Sequence, residues 1–133
     1  MDEMRFIGEC IIPVRWGDLD TYSHVNNSRF FEYMTESRAQ VLSHLIKPSG
    51  DLQFVLAFTQ CSFKKPILYP GNVLIKHFIS QIGYTSFTVV HHIMSEDGSV
   101  LYAEADGKLV CFDPIKEKPV ELPVHLREKL TTG

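Results

Sequence analysis

"NSRFFEYMTESRAQVLSHLIK", residues 27–47, is the one stretch of this chain that reads as a long helix. Phe31, Met34, Val41, Leu42 and Leu45 recur at helical spacing, and Phe30 and Ile46 widen the apolar stripe. Glu32, Glu36 and Arg38 are candidates for the other faces. Asn26 or Asn27 can cap the start, and Lys47-Pro48 with Gly50 marks the stop. At ~1.5 Å per residue such a helix runs ~30 Å.

Everything around it reads as strand. Residues 4–15 form one extended run before the helix, and Pro13 places that run at a sheet edge or a bulge, because proline donates nothing to a ladder. Four more runs follow, at 53–63, 72–82, 84–94 and 99–112. The breaks between them are Pro70-Gly71, Gly83 and Asp97-Gly98, the last a two-residue hairpin signal, and Asp113-Pro114 ends the series. Asp106-Gly107 inside the last run suggests a bulge. Residues 122–130 suit a final helical turn or two. One strand, one helix and four antiparallel strands define an α+β class and a single domain over residues 1–133. Ten-residue strands span roughly 33 Å, so the helix can bury its stripe along one sheet face. The other face keeps many apolar side chains, which must meet solvent or another subunit; the second is favoured, so a homo-oligomer is expected.

Composition narrows the function classes. The chain has 133 residues, 44% hydrophobic and 22% charged, with a formal net charge of −3. That balance lacks the basic footprint of a nucleic-acid binder. Cys10, Cys61 and Cys111 are odd in number and widely spaced, with no CxxC, so neither a disulfide framework nor a zinc site is expected. No apolar run approaches the ~20 residues of a membrane span. Met1-Asp2-Glu3-Met4 is acidic where a signal peptide is basic, so a cytoplasmic location is expected.

Immediately before the helix stands "RWGDLDTYSHVNN", residues 15–27, with two carboxylates, an imidazole and two asparagines. Asn26 and Asn27 suit the cap, whereas Asp18 and Asp20 lie too far upstream for it. Asp18 is read as structural or solvated. The Asp18-Asp20 pair does not fit the phosphatase motif that closes a strand of a parallel sheet, since helix crossovers are missing. An EF-hand loop from Asp18 would need Gly at 23 and Glu at 29, where the chain has Ser23 and Arg29. A metal site from Asp20, His24 and the His91-His92 pair is disfavoured, because adjacent strand residues point to opposite faces.

The run Asp18-Leu19-Asp20-Thr21-Tyr22-Ser23-His24-Val25-Asn26-Asn27, followed by Phe30 and Phe31, resembles the hotdog-fold thioesterases, nearest the 4-hydroxybenzoyl-CoA thioesterase-like branch. It is also similar to the corresponding segment of plant acyl-ACP thioesterases. The likeness covers roughly residues 5–114. It implies a five-stranded antiparallel sheet wrapped around one long central helix, a homodimer joined sheet edge to sheet edge or a homotetramer built from such dimers, and thioester hydrolysis at the dimer interface without metal or redox cofactor. By resemblance Asp20 matches the catalytic aspartate, Asn27 the residue whose backbone N–H faces the thioester carbonyl, and His24 a histidine of the plant enzymes. Tyr22 stands where the plant enzymes carry asparagine, and Gly71-Asn72 where the family has Gly-Asp.

The chemistry these residues suggest is direct. A helix start offers unpaired N–H groups and the positive end of the helix dipole, which can form an oxyanion hole. Asp20 would act on the carbonyl carbon as nucleophile or as general base toward water. Lys64 and Lys65 are candidates for the CoA phosphates, with Lys76 and His77 weaker ones; Val25 and Asn26 complete the substrate-binding set. Glu32 and Glu36 are read as a solvated helix face. Phe54, Phe58, Phe63 and Tyr84 are possible acyl-pocket residues that could equally be core. The expected activity is hydrolysis of acyl-CoA. Hydrolysis of acyl-ACP and non-catalytic acyl-CoA binding remain the alternatives.

Overall fold

The computed structural model describes residues 4–46 and 52–131. Strand β1 (Arg5–Pro13) leads through a short 3-10 turn, Trp16–Asp18, into helix α1 (Asn27–Leu42). Strands β2 (Gln53–Phe63), β3 (Asn72–Ile82), β4 (Ser86–Ser95) and β5 (Leu101–Asp113) follow. A two-residue strand β6 (Lys118–Pro119) and helix α2 (Val124–Thr131) complete the chain. The sheet is antiparallel in the order β1-β3-β4-β5-β2, with β6 paired to β5. This is the helix-in-sheet hotdog arrangement that the sequence predicts, with β6 and α2 added.

The strand boundaries follow the expected breaks closely, and three details differ. The Asp97-Gly98 turn is wider than a two-residue hairpin: Ser95 N donates to Val100 O at 2.8 Å, enclosing Glu96–Ser99. Asp97 Oδ1 accepts from Ser99 N at 3.0 Å and from the hydroxyls of Ser95 and Ser99, each at 2.7 Å, while Gly98 takes φ +79°. Those side-chain bonds stabilise the longer turn. No bulge forms at Asp106-Gly107; they pair in register with Gln60 and Thr59, and the irregularity falls instead between Leu56 and Phe58. The helix ends at Leu42 rather than 47, so its 16 residues span ~24 Å. There Ser43 Oγ bonds Gln40 O at 2.7 Å, and Leu45 N reaches back only three residues to Leu42 O at 2.9 Å, which tightens the chain into a turn. Leu45 and Ile46 still pack on the core. The proposed stop at Lys47, Pro48 and Gly50 lies outside the described residues.

Two apolar clusters fill the concave side. Phe30, Tyr33 and Met34 of α1 pack on Ile12, Ile75, Ile93 and Ala103. At the other end, Leu126 and Leu130 of α2 close over Leu42, Phe87, Val89 and Leu109. Fully burying one such side chain is worth about 1.5–3 kcal/mol.

Between the clusters lies a buried polar layer that was not expected. Arg38, a candidate for an outer face, is only 7% exposed, and His77, a weak phosphate candidate, is fully buried beside Ser37 and His91. His77 Nδ1 donates to Gly8 O at 3.1 Å, so its Nε2 accepts from Ser37 Oγ at 2.9 Å. His91 Nδ1 donates to Ala105 O at 3.3 Å, so its Nε2 accepts from Arg38 Nη1 at 3.4 Å. Burial first, then neighbouring positive charge, pushes His77 down to about 4 and His91 down to about 3. Both imidazoles are therefore neutral at pH 7. His77 cannot meet a phosphate. His92, one residue on, takes the opposite sheet face and sits 3.3 Å from Glu104.

Candidate active site

The segment between β1 and α1 is shaped by two aspartates with different tasks. Asp18 is buried, at 2% exposure. It accepts from Tyr33 Oη at 2.7 Å, from Arg15 N at 3.1 Å and from Arg15 Nη2 at 3.2 Å, with Arg29 Nε at 3.8 Å. Burial alone would raise this carboxyl, but the bonds from Tyr33 and Arg15 outweigh it and hold Asp18 below its ordinary range. Its own carbonyl accepts from Asn26 N at 2.9 Å. Asp18 thus ties β1, α1 and the loop together, and is structural as the spacing implies.

Asp20 begins a tight loop. Its N–H donates to His24 O at 2.7 Å, and Leu19 bridges Val25. Its Oδ1 accepts from the backbone of Tyr22 at 2.8 Å and of His24 at 3.2 Å. These bonds support Ser23 at φ +64°, a region uncommon for serine. Oδ2 of Asp20 has no hydrogen-bond partner among the described residues, and the side chain is exposed. The loop is fastened from the other side, where Val25 N donates to Ile67 O at 2.9 Å and His24 bridges Leu68.

Asn26 is the helix cap. Its Oδ1 accepts from Ser28 N at 3.0 Å, and Asn27 is the first helical residue. The Asn27 N–H has no partner among the described residues, as expected of an orphan donor in the first turn. Asp20, His24, Val25, Asn27, Lys64 and Lys65 all line one pocket of about 250 Å³, together with Phe30, Phe63 and Pro66. Phe30 and Phe63 meet edge to face at 5.0 Å. The backbone N–H groups of Lys64 and Lys65 both donate to Tyr102 O, at 2.8 and 3.1 Å, which fixes the turn while Lys64 Nζ stays 3.9 Å from Glu104.

Other candidates lie elsewhere. Glu32 pairs with Arg29 at 2.6 Å on the solvent side, and Glu36 is exposed. Lys76 pairs with His92 across the ladder, away from the pocket. Phe58 and Tyr84 are exposed and outside the pocket, whereas Phe54 packs on Phe87. Cys10, Cys61 and Cys111 are free thiols, and burial pushes Cys61 up to about 11.

Residues 14–130 match the family model of the thioesterase-like superfamily, and the chain belongs to that superfamily of thioester hydrolases. It is 29% identical over 123 residues to the long-chain acyl-CoA thioesterase FadM of Escherichia coli strain K12, covering 90% of this chain and 93% of that protein. Among solved structures, the PA2801 protein of Pseudomonas aeruginosa superposes with a TM-score of 0.87 at 25% identity, covering 96% of this chain and all of the other. The XC229 protein of Xanthomonas campestris gives a TM-score of 0.74 at 28% identity, over 80% of this chain and 92% of that one.

Proposed function

We propose that this protein hydrolyses acyl-CoA thioesters to the free acid and CoA in the pocket at the start of α1. The observation that carries the reading is a convergence: Asp20 and Asn27 line one pocket, and neither Asp20 Oδ2 nor the Asn27 N–H has a hydrogen-bond partner among the described residues. The thioester carbonyl oxygen would point at the Asn27 N–H, where the helix dipole favours developing negative charge. Asp20 then either deprotonates a water that attacks the carbonyl carbon, or attacks it directly to give a mixed anhydride that water afterwards hydrolyses; in both routes the C–S bond breaks and CoA departs as a thiolate, a good leaving group. Tying Oδ1 to two backbone donors leaves Oδ2 as the reactive atom. His24 borders the same space and would orient Asp20 or its water. Lys64 and Lys65 suit the phosphates of CoA, and Val25 lines the wall beside the helix start; Asn26, expected with it, is not among the lining residues and serves as the helix cap.

The active assembly is a homodimer or a dimer of dimers. Strand β2 ends the sheet and is exposed along most of its 11 residues, including Val55, Leu56, Phe58 and Phe63. A long apolar edge strand of that kind invites a second copy. Three free cysteines fit the reducing cytoplasm. No helix among the described residues is long and apolar enough to cross a membrane.

The test is a thiol-release screen over short, medium, long and aromatic acyl-CoAs, with acyl-ACP counterparts in parallel. Asp20→Asn should lower kcat by about 10²–10⁴-fold, the usual scale for a lost base or nucleophile. Wild-type turnover by that variant would sink the assignment.

A further inference from the structure

Among the described residues, Arg38 is a cation without a counter-ion. It is 93% buried, its only hydrogen-bond partner among the described residues is the neutral His91 at 3.4 Å, and none of the ion pairs there includes it. Arg15 and Arg29, by contrast, both reach Asp18. Charged side chains are almost never this buried unless paired, because an unpaired buried charge is costly. A guanidinium offers five N–H donors; Nη1 of Arg38 is spent on His91, and its other nitrogens are not enclosed but open onto a groove that Arg38 itself lines.

An anionic group has a way to reach it. Beside Arg38 an apolar groove of about 340 Å³ runs between α1 and the sheet, walled by Leu42, Ile46, Phe54, Leu56 and Leu109. Phe30 at the start of α1 meets Phe63 at the end of β2, and Leu42 at the helix end faces Phe54 and Leu56 near the strand start. The catalytic pocket and the groove therefore occupy two ends of one α1–β2 seam. Arg38 follows Asn27 by eleven residues, ~16 Å along the helix axis.

We propose that Arg38 is a specificity-determining residue, whose guanidinium receives a carboxylate at the far end of the acyl chain, so that ω-carboxyacyl thioesters are taken ahead of plain acyl thioesters of equal length. The inference rests on the thioesterase reading above. Methylenes suit the leucine and phenylalanine walls, and a carboxylate matches the planar fork of a guanidinium. A chain ending in methyl leaves the buried cation unpaired. A chain ending in carboxylate satisfies it.

Two measurements decide the point. In the first, kcat/KM is taken for matched pairs, plain and ω-carboxy, of medium- and long-chain acyl-CoAs. The wild type should favour the ω-carboxy member by about tenfold or more at its best length, the scale of a charge-assisted hydrogen bond. In Arg38→Met the ratio should fall to one or below; a general folding defect lowers both members and leaves their ratio alone. The second uses non-hydrolysable thioether analogues of the same pairs in thermal melting of the wild type, where the ω-carboxy analogue should raise Tm further. A wild-type ratio near one at every length, with equal melting shifts, overturns the proposal. If no acyl-CoA is cleaved at all, the hydrolase reading has failed, and the melting comparison alone decides the role of Arg38.

Discussion

Removing the Tyr33 hydroxyl should loosen the anchor that holds the Asp20 loop against the helix. Tyr33 Oη donates to Asp18 Oδ2 at 2.7 Å, and both residues are almost wholly buried, at 1% and 2% exposure. A hydrogen bond to a buried carboxylate is worth about 1.5–3 kcal/mol, and Tyr33→Phe deletes one oxygen with little change of shape. For a chain of this length that loss corresponds to a fall in Tm of roughly 5–10 °C. The effect must depend on pH with a definite sign. Asp18 in the folded protein is held below its unfolded value of about 3.9, so its stabilisation is complete above that value and is lost as pH falls through the lower folded one. The gap between wild type and Tyr33→Phe should therefore be full at neutral pH and shrink in strong acid. Urea unfolding at fixed protein concentration, run with Asp18→Asn and the double variant, isolates a coupling of about 1–3 kcal/mol. A loss under about 0.5 kcal/mol at neutral pH, or additive single effects, would show that Asp18 is not held by Tyr33 as argued.

Three further outcomes follow from the buried layer and the open edge. A Cβ at Gly107 would stand 3.1 Å from Arg38 Nη1 and 3.4 Å from Leu56 Cδ1, so Gly107→Ala should cost about 1–2 kcal/mol in thermal unfolding, and less when Arg38 is replaced by Met. His77 and His91 are held neutral, while their unfolded counterparts begin to bind protons near pH 6.5. Stability should be full above that value and fall with pH down to about 4 for His77 and about 3 for His91, and His77→Gln should flatten part of the slope in urea titrations. Phe58→Glu, on the exposed edge strand β2, should shift sedimentation toward the monomer; an unchanged profile would move the subunit interface elsewhere.

Much of the architecture is legible in the sequence because local signals agree with the fold. β2 and β3 begin and end at the residues where turn chemistry and the apolar run predict. Asp20, His24 and Asn27 are sequence neighbours brought to one pocket by a short loop, so their association needs no long-range information. Lys64 and Lys65 arrive there through tertiary pairing; their charge and their place between strand and turn mark them in the sequence, but not their position beside the helix start. In α1 the apolar periodicity favours Phe31 and leaves polar residues out of the buried stripe. The stripe that forms is Phe30, Tyr33, Met34, Ser37, Arg38, Val41 and Leu42. Its spacing is perfectly helical, but two polar members hid it. Their partners His77 and His91 come from other strands, beyond the reach of periodicity.

The polar members of that stripe sit where the sheet makes room for them. Beneath the middle of α1, β5 presents Ala103, Ala105 and Gly107, the smallest side chains available. Larger residues would fill the space and exclude Arg38, as the Gly107 geometry indicates. An apolar residue at position 38 would need no imidazole, no glycine and no desolvation of a cation, and buried ion-free packing is usually the more stable choice. Such an arrangement beside an apolar groove, with an apolar cluster on either side of the layer, is the pattern expected of a binding requirement rather than a folding one. On that argument Arg38→Met should leave the protein as stable as the wild type or more so, while altering which acyl chains it prefers. A large loss of stability without any change in preference would place Arg38 among the supports of the fold instead.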